Sequence, residues 1–520
     1  MASESLSRLD PAVCERARLA RDSRFDGRFF IGVRTTGIFC RPICPVRSPK
    51  EANVRYFPSA AAAAEAGFRP CLRCRPEAAP GTPAWRGTAA TVSRALRLIN
   101  EGALDGGSVE ALAERLGIGP RHLTRLFQRH LGAPPRRVAA TRRLLFAKRL
   151  LDETDLPLAR VAHGAGFGSV RRFNAAIRET YGSPPGALRR SRRRAIGGSG
   201  ENLVLTLPYR PPLDWAALCR YLAARAIPGV EQVEQDVYRR TLSIDGDATR
   251  LEVRPAAGRD CLEVAVERSQ SGMLLSLVER ARRVFDLDAD PSEIAESLAV
   301  DPDLARLLRK QPGLRVPGAW DGFELAVRAI LGQQVSVKGA STLAGRLVSA
   351  FGSGLEEHRA DRPSRLFPTP QGLLEVTPEV LASEVGLPRA RAETILALAR
   401  AVAEGRVSLD ASSDAVELER SLTALPGIGR WTAQYVALRV LGDPDAFSER
   451  DLGLLRSAAA HGLAQSHQEL QARAEAWRPW RAYAALCLWQ SDPTGQPKRA
   501  ARPKTPRRKV EADHVLQPLG

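Results

Sequence analysis

The stretch LPGIGRWTAQY at residues 425–435 sets the reading of the whole chain. Two glycines, Gly427 and Gly429, stand between two short helical patterns, where the backbone can turn sharply and bring its amides to one point. N–H groups that converge in this way hold a phosphate without net positive charge. The spacing predicts a helix-hairpin-helix. Trp431 and Tyr435 follow at i and i+4, so the second helix carries two aromatic rings on one face.

Downstream, PDAFSERDLGLLR places Asp451 about 20 residues past the hairpin. Residues 286–490 read as almost entirely helical, and 201–285 mix strand-like alternation (Leu203 to Leu205, Leu262 to Val264) with helices near 214–225 and 273–285. The hairpin pattern alone also occurs in ligases and nucleases. Together with VRAILGQQVSV at 327–337 and WRPWRAYAALCLW at 477–489, however, the segment 203–490 resembles the 3-methyladenine DNA glycosylase II (AlkA-type) branch of the helix-hairpin-helix superfamily. That resemblance implies an α+β (TBP-like) first subdomain, an all-α catalytic domain, Asp451 as the catalytic carboxylate, and Trp489 beside Trp431 and Tyr435 in a base pocket. The chemistry is coherent. A stacked base must be extruded before it is attacked. An alkylated, electron-poor purine is held by aromatic faces at about 0.5–2 kcal/mol per contact.

In superfamily members that also cleave the strand, the place of Trp431 holds a Schiff-base lysine, so the expectation is a monofunctional enzyme of the EC 3.2.2.21 type. No four-cysteine cluster follows the hairpin, and no iron–sulfur centre is expected. One departure concerns Gln334: the residue inserted into the vacated stack is apolar in the best-known relatives and is Gln here.

At the other end, Cys40, Cys44, Cys71 and Cys74 form a C-x3-C and a C-x2-C pair. Paired short spacings suit one tetrahedral Zn2+, and the scattered Cys14, Cys219, Cys261 and Cys487 suit buried apolar positions. VRTTGIFCRPICPVR at 33–47 and the run from Asn53 to Pro76 resemble the Ada-type metal-binding domain. The resemblance implies that Cys40 takes a methyl group irreversibly from a DNA methylphosphotriester, with the thiolate activated by zinc. Arg34, Arg41, Arg47 and Arg69 are candidates for phosphate contact; the alternative is that all four cysteines only hold the metal.

Residues 108–130 and 157–181 repeat one pattern, a short apolar-faced helix followed by an Arg-rich one. The pair resembles an AraC-type double helix-turn-helix. Its recognition helices would lie near 120–129 and 169–178, offering Arg121, His122, Arg125, Ser169, Arg171 and Arg172 to base edges.

Charge supports this division. Residues 1–200 hold 36 Lys and Arg against 16 Asp and Glu, while the remaining 320 hold 41 against 42. A basic front half fits a polyanionic partner, and a neutral rear half needs its hairpin. The expected architecture is multidomain and mainly α. It runs as a zinc domain (1–80), a helix-turn-helix pair (85–188), a linker (189–200), an α+β subdomain (201–285), a glycosylase domain (286–490) and a disordered tail (491–520). Partners implied are alkylated and promoter double-stranded DNA, with RNA polymerase as a further one; no membrane partner and a cytoplasmic, nucleoid-associated location are expected. No PCHR motif occurs, so O6-methylguanine repair is not expected. The rival reading is a transcription factor whose rear half is a catalytically dead DNA-binding module.

Overall fold

The computed structural model describes residues 10–79, 88–193, 203–244, 246–267, 274–355, 362–410, 413–448 and 450–491. The first unit is a small sheet of β1 (Phe30–Val33), β2 (Ile38–Cys40), β3 (Val54–Phe57) and β4 (Arg69–Pro70), in the order β3-β1-β2-β4. Helix Pro11–Ala20 buries Cys14 and Ala17 against Phe29 and Ile31, and helix Ala60–Glu65 covers Phe30, Phe39 and Phe57. These are two small apolar clusters. So small a core is one that a bound metal would stabilise.

Seven helices follow, from Thr88–Asn100 to Pro185–Arg193. The 19-residue helix Pro135–Glu153 joins two helix-turn-helix units, in which Val109–Arg115 leads into Pro120–Leu131, and Leu158–Gly164 into Val170–Tyr181. The last helix, to Arg193, runs into the segment read as a linker from 189 on. The rest of that segment, and the tail from 492, lie outside the described residues.

The rear half opens with a five-stranded antiparallel sheet of β5 (Leu203–Pro208), β6 (Glu231–Glu234), β7 (Val237–Ile244), β8 (Asp247–Pro255) and β9 (Cys261–Val266), ordered β5-β9-β8-β7-β6. Its inward residues, among them Leu205, Leu207, Val253, Val264 and Val266, pack on helices Trp215–Ala223 and Leu274–Val284. The same cluster contains Leu150, Val161, Phe173 and Ile177, so the second helix-turn-helix is packed on this sheet. Polar ties reinforce the docking. Thr206 N donates to Glu153 Oε2 at 3.0 Å, and Arg28 of the first unit meets Asp290 at 3.1 Å. The chain ends in two helical clusters. One is built around Ile330, Leu347, Ile395 and Val436, the other around Leu454, Trp477 and Leu488, and the candidate site joins elements of the two.

Candidate active site and metal centre

The hairpin forms as the sequence dictates. Helix Ala415–Thr423 ends, Gly427 turns the chain at φ +81°, and Gly429 is the N-cap of helix Arg430–Val436. At Gly427 a Cβ would sit 2.1 Å from Thr394 Oγ1, so glycine is required both for its backbone angle and for close packing on helix Arg389–Ala403.

The helix that starts at Gly429 presents Trp431 and Tyr435 as a stacked pair, ring centroids 5.6 Å apart and 7° from parallel. Asp451 is the N-cap of helix Leu452–Ala460, with Oδ1 accepting from Leu454 N at 2.7 Å. Its carboxylate also accepts from both pocket indoles: Trp431 Nε1 donates to Oδ2 at 2.7 Å and Trp489 Nε1 to Oδ1 at 3.0 Å. The acid therefore caps a helix and also meets both indoles, and all four predicted residues come together, each partly exposed. Three N–H donors fix the orientation of the carboxylate. Gly453 makes this possible, because a Cβ there would lie 3.0 Å from Asp451 Oδ1 and 3.6 Å from the Trp489 ring.

Several residues at this site carry no signal in the sequence reading. Arg439 is buried one turn beyond Tyr435, where the helix widens into a π turn over Ala437–Leu441. Its Nη1 donates at 2.6 Å to the hydroxyls of both Tyr435 and Tyr221, the latter carried by the helix Trp215–Ala223 of the sheet subdomain. Burial pushes the Tyr435 phenol up, but Arg439, Arg225 and Arg328, with the Tyr221 hydrogen bond, outweigh it and bring it down to about 8. A periodicity of four from Trp431 through Tyr435 to Arg439 is the one sequence cue that could have flagged the arginine. Gln334 is exposed with φ +56°, an outward-standing, left-handed residue on the turn before helix Val337–Phe351.

In the first unit, the Sγ atoms of Cys40, Cys44, Cys71 and Cys74 all lie within 4.8 Å of one another, the one such group among the described residues. Four Zn–S bonds of about 2.3 Å fit that span. Cys71 and Cys74 are buried, whereas Cys40, at the end of β2, and Cys44 are partly exposed. Arg34, Arg47 and Arg69 are exposed, but Arg41 is not. Its guanidinium pairs with buried Asp26 (Nε to Oδ1 2.8 Å) and donates to the Cys74 carbonyl at 3.1 Å. This corrects the expectation of a phosphate contact: Arg41 braces the metal loop, and its backbone N–H reaches Cys74 Sγ at 3.3 Å. Arg121, His122, Arg171 and Arg172 are exposed on the first turns of their helices and Arg125 on the second turn of the first, while Ser169 Oγ caps the second helix by accepting from Arg172 N at 3.2 Å.

A sheet subdomain leading into a helical domain with a glycine hairpin, a carboxylate and facing indoles defines a base-excision DNA repair glycosylase, here joined to a metal-binding domain and a helix-turn-helix. Family comparison finds four matches along the chain: the metal binding domain of Ada at residues 13–77, a helix-turn-helix domain at 112–191, the AlkA N-terminal domain at 204–321 and the HhH-GPD superfamily base excision DNA repair protein at 327–482. The chain belongs to the bifunctional transcriptional activator/DNA repair enzyme AlkA family. It is 43% identical over 480 residues to the probable member of Mycobacterium tuberculosis, covering 92% of this chain and 95% of that one. It is also 35% identical to DNA-3-methyladenine glycosylase 2 of Escherichia coli K12, over 56% of this chain and 98% of the relative. The solved 3-methyladenine DNA glycosylase of Archaeoglobus fulgidus aligns with 55% of this chain and 97% of its own at 26% identity and a TM-score of 0.49. No helix among the described residues is long and apolar enough to cross a membrane.

Proposed function

We propose that the rear half hydrolyses the N-glycosidic bond of alkylated purines in double-stranded DNA, as a monofunctional DNA-3-methyladenine glycosylase II. The observation that carries this reading is the Asp451 carboxylate held by both indoles, Trp431 and Trp489. The hairpin amides at Gly427 and Gly429 hold the backbone beside the lesion, and Gln334 fills the vacated stack. The extruded ring lies against Trp431, Tyr435 and Trp489. As the bond between C1′ and the base nitrogen breaks, positive charge grows on the sugar, and Asp451 stabilises it and orients the attacking water. Water supplies hydroxyl to C1′ and gives up its proton to solvent, while the ring, cationic as an N3- or N7-alkylated nucleoside, departs as a neutral base. Trp431 offers no amine for a Schiff base, so the strand is left intact at an abasic site.

The front half, on this reading, senses backbone damage. Bound zinc keeps the four thiols deprotonated while leaving their sulfurs nucleophilic. The Cys40 sulfur attacks the methyl carbon of a methylphosphotriester; the S–C bond forms as the C–O bond breaks, and the phosphodiester leaves with the negative charge. The resulting thioether is neutral, which removes repulsion from the DNA backbone and strengthens binding. Arg34, Arg47 and Arg69 contact phosphates. Arg121, His122, Arg125, Arg171 and Arg172 reach base edges of a promoter, with Ser169 ordering the second recognition helix and RNA polymerase as the downstream partner.

The test is incubation of the full chain with methylated duplex, scoring free 3-methyladenine by chromatography and strand breaks on a denaturing gel. Released base with unbroken strands is expected. Strand breaks by elimination contradict the monofunctional reading, and no release leaves only the dead-module rival.

A further inference from the structure

The wedge residue is fixed to the hairpin by its neighbour. Gln333 lies half-buried one position before Gln334, in a turn closed by the Val335 N–H donating to the Gly332 carbonyl at 3.3 Å. Its side-chain amide donates to the Gly427 carbonyl at 3.0 Å and to Thr432 Oγ1 at 3.1 Å. Gly427 is the turning residue of the hairpin, and Thr432 is buried in the helix that follows. From a third element, Arg391 Nη2 donates to the Gln333 carbonyl at 2.8 Å, and Thr394 of the same helix packs under Gly427. Three segments far apart in sequence thus meet at Gln333, the hairpin through its side chain and helix Arg389–Ala403 through its backbone carbonyl, immediately beside a non-glycine residue in the left-handed region. Such a conformation is costly and persists where the surroundings over-determine it.

We propose that Gln333 is a positioning residue for base extrusion: its amide sets the distance between the inserted Gln334 and the phosphate-holding hairpin. The proposal rests on the excision reading above. The hairpin fixes one strand at a phosphate, and a wedge tied to that same turn enters the stack at a fixed offset. The energy of phosphate binding can then be spent on unstacking, without first ordering a loose loop.

The experiment compares Gln333→Ala and Gln333→Glu with the unaltered full chain, in single-turnover release of 7-methylguanine from two duplexes. In one duplex the lesion is paired; in the other it is an unpaired bulge. Glu keeps the size of Gln but cannot donate to the Gly427 carbonyl, so both variants are expected to behave alike. Loss of two neutral hydrogen bonds should slow release from the paired site by about tenfold. On the bulge, already unpaired, the loss should be within about twofold. A second readout needs no chemistry: in an Asp451→Asn background, a 2-aminopurine next to the paired lesion brightens on extrusion, and Gln333→Ala should remove most of that rise. Because this signal is independent of base release, it separates failure of the clamp from failure of the excision reading. Equal slowing on both duplexes, no slowing on the paired one, or an undiminished fluorescence rise would each overturn the proposal.

Discussion

Replacing Trp431 with Phe removes one indole N–H from Asp451 and leaves an aromatic face over Tyr435. Of the three donors on that carboxylate, the Trp431 bond at 2.7 Å is shorter than the Trp489 bond at 3.0 Å and equals the backbone bond from Leu454. A hydrogen bond to a charged group contributes about 1.5–3 kcal/mol, and a half-exposed site belongs at the lower end. A loss of about 1.5 kcal/mol in the transition state corresponds to roughly a tenfold lower kcat. Phe still stacks, so KM should move by less than about threefold. Trp489→Phe should act in the same direction. The double variant leaves Asp451 only its helix-capping bond and should fall by about a hundredfold, if the two losses add. The assay is single-turnover and steady-state release of 3-methyladenine from methylated duplex. A higher KM with unchanged kcat would refute the reasoning: the indoles would then only bind the base, and their hydrogen bonds to Asp451 would play no part in the reaction.

Three further outcomes follow from particular contacts. Tyr435, held near 8 by its arginines, should be the tyrosine that titrates lowest in absorbance at 295 nm, and Tyr435→Phe should delete that step. Its folded value lies below the unfolded value of about 10, so its contribution to stability is full above about pH 10 and is lost as pH falls through 8. Gly427→Ala forces a Cβ to 2.1 Å from Thr394 Oγ1 at φ +81° and should cost at least about 1–2 kcal/mol in urea unfolding, together with affinity for abasic-site DNA. Arg41→Ala strands the buried Asp26 carboxylate and should destabilise the first domain by about 3–5 kcal/mol with loss of bound zinc, whereas Arg47→Ala should keep zinc and lower the salt slope of DNA binding by about one.

What could be read from the sequence was what lies close together along the chain. Gly427, Gly429, Trp431 and Tyr435 fall within nine residues, and the four cysteines fall in two close pairs whose spacing suits one metal. Asp451 and Trp489 came from a resemblance, since nothing local says that two side chains 38 positions apart share a hydrogen bond. Tyr221 and Arg439 are 218 positions apart, and Gln333 and Gly427 are 94 apart. Such contacts are made by tertiary packing and leave no periodic trace. Arg41 was misread because a basic residue beside a cysteine says nothing of Asp26, which folds back from 15 positions upstream. The packing of the second helix-turn-helix on the β5–β9 sheet was hidden for the same reason: Leu150 and Phe173 look like the core of their own unit until the sheet lies against them.

The account stands or falls with Asp451. The most direct measurement sets the unaltered chain beside Asp451→Asn on one methylated duplex, recording free 3-methyladenine and, in parallel, affinity for an abasic-site duplex. The amide oxygen can keep the bonds that Oδ1 accepts from Leu454 N and Trp489 Nε1, so binding should stay within about threefold while release is lost by a factor of about a hundred or more. Equal release by both proteins would show that the carboxylate takes no part in breaking the glycosidic bond.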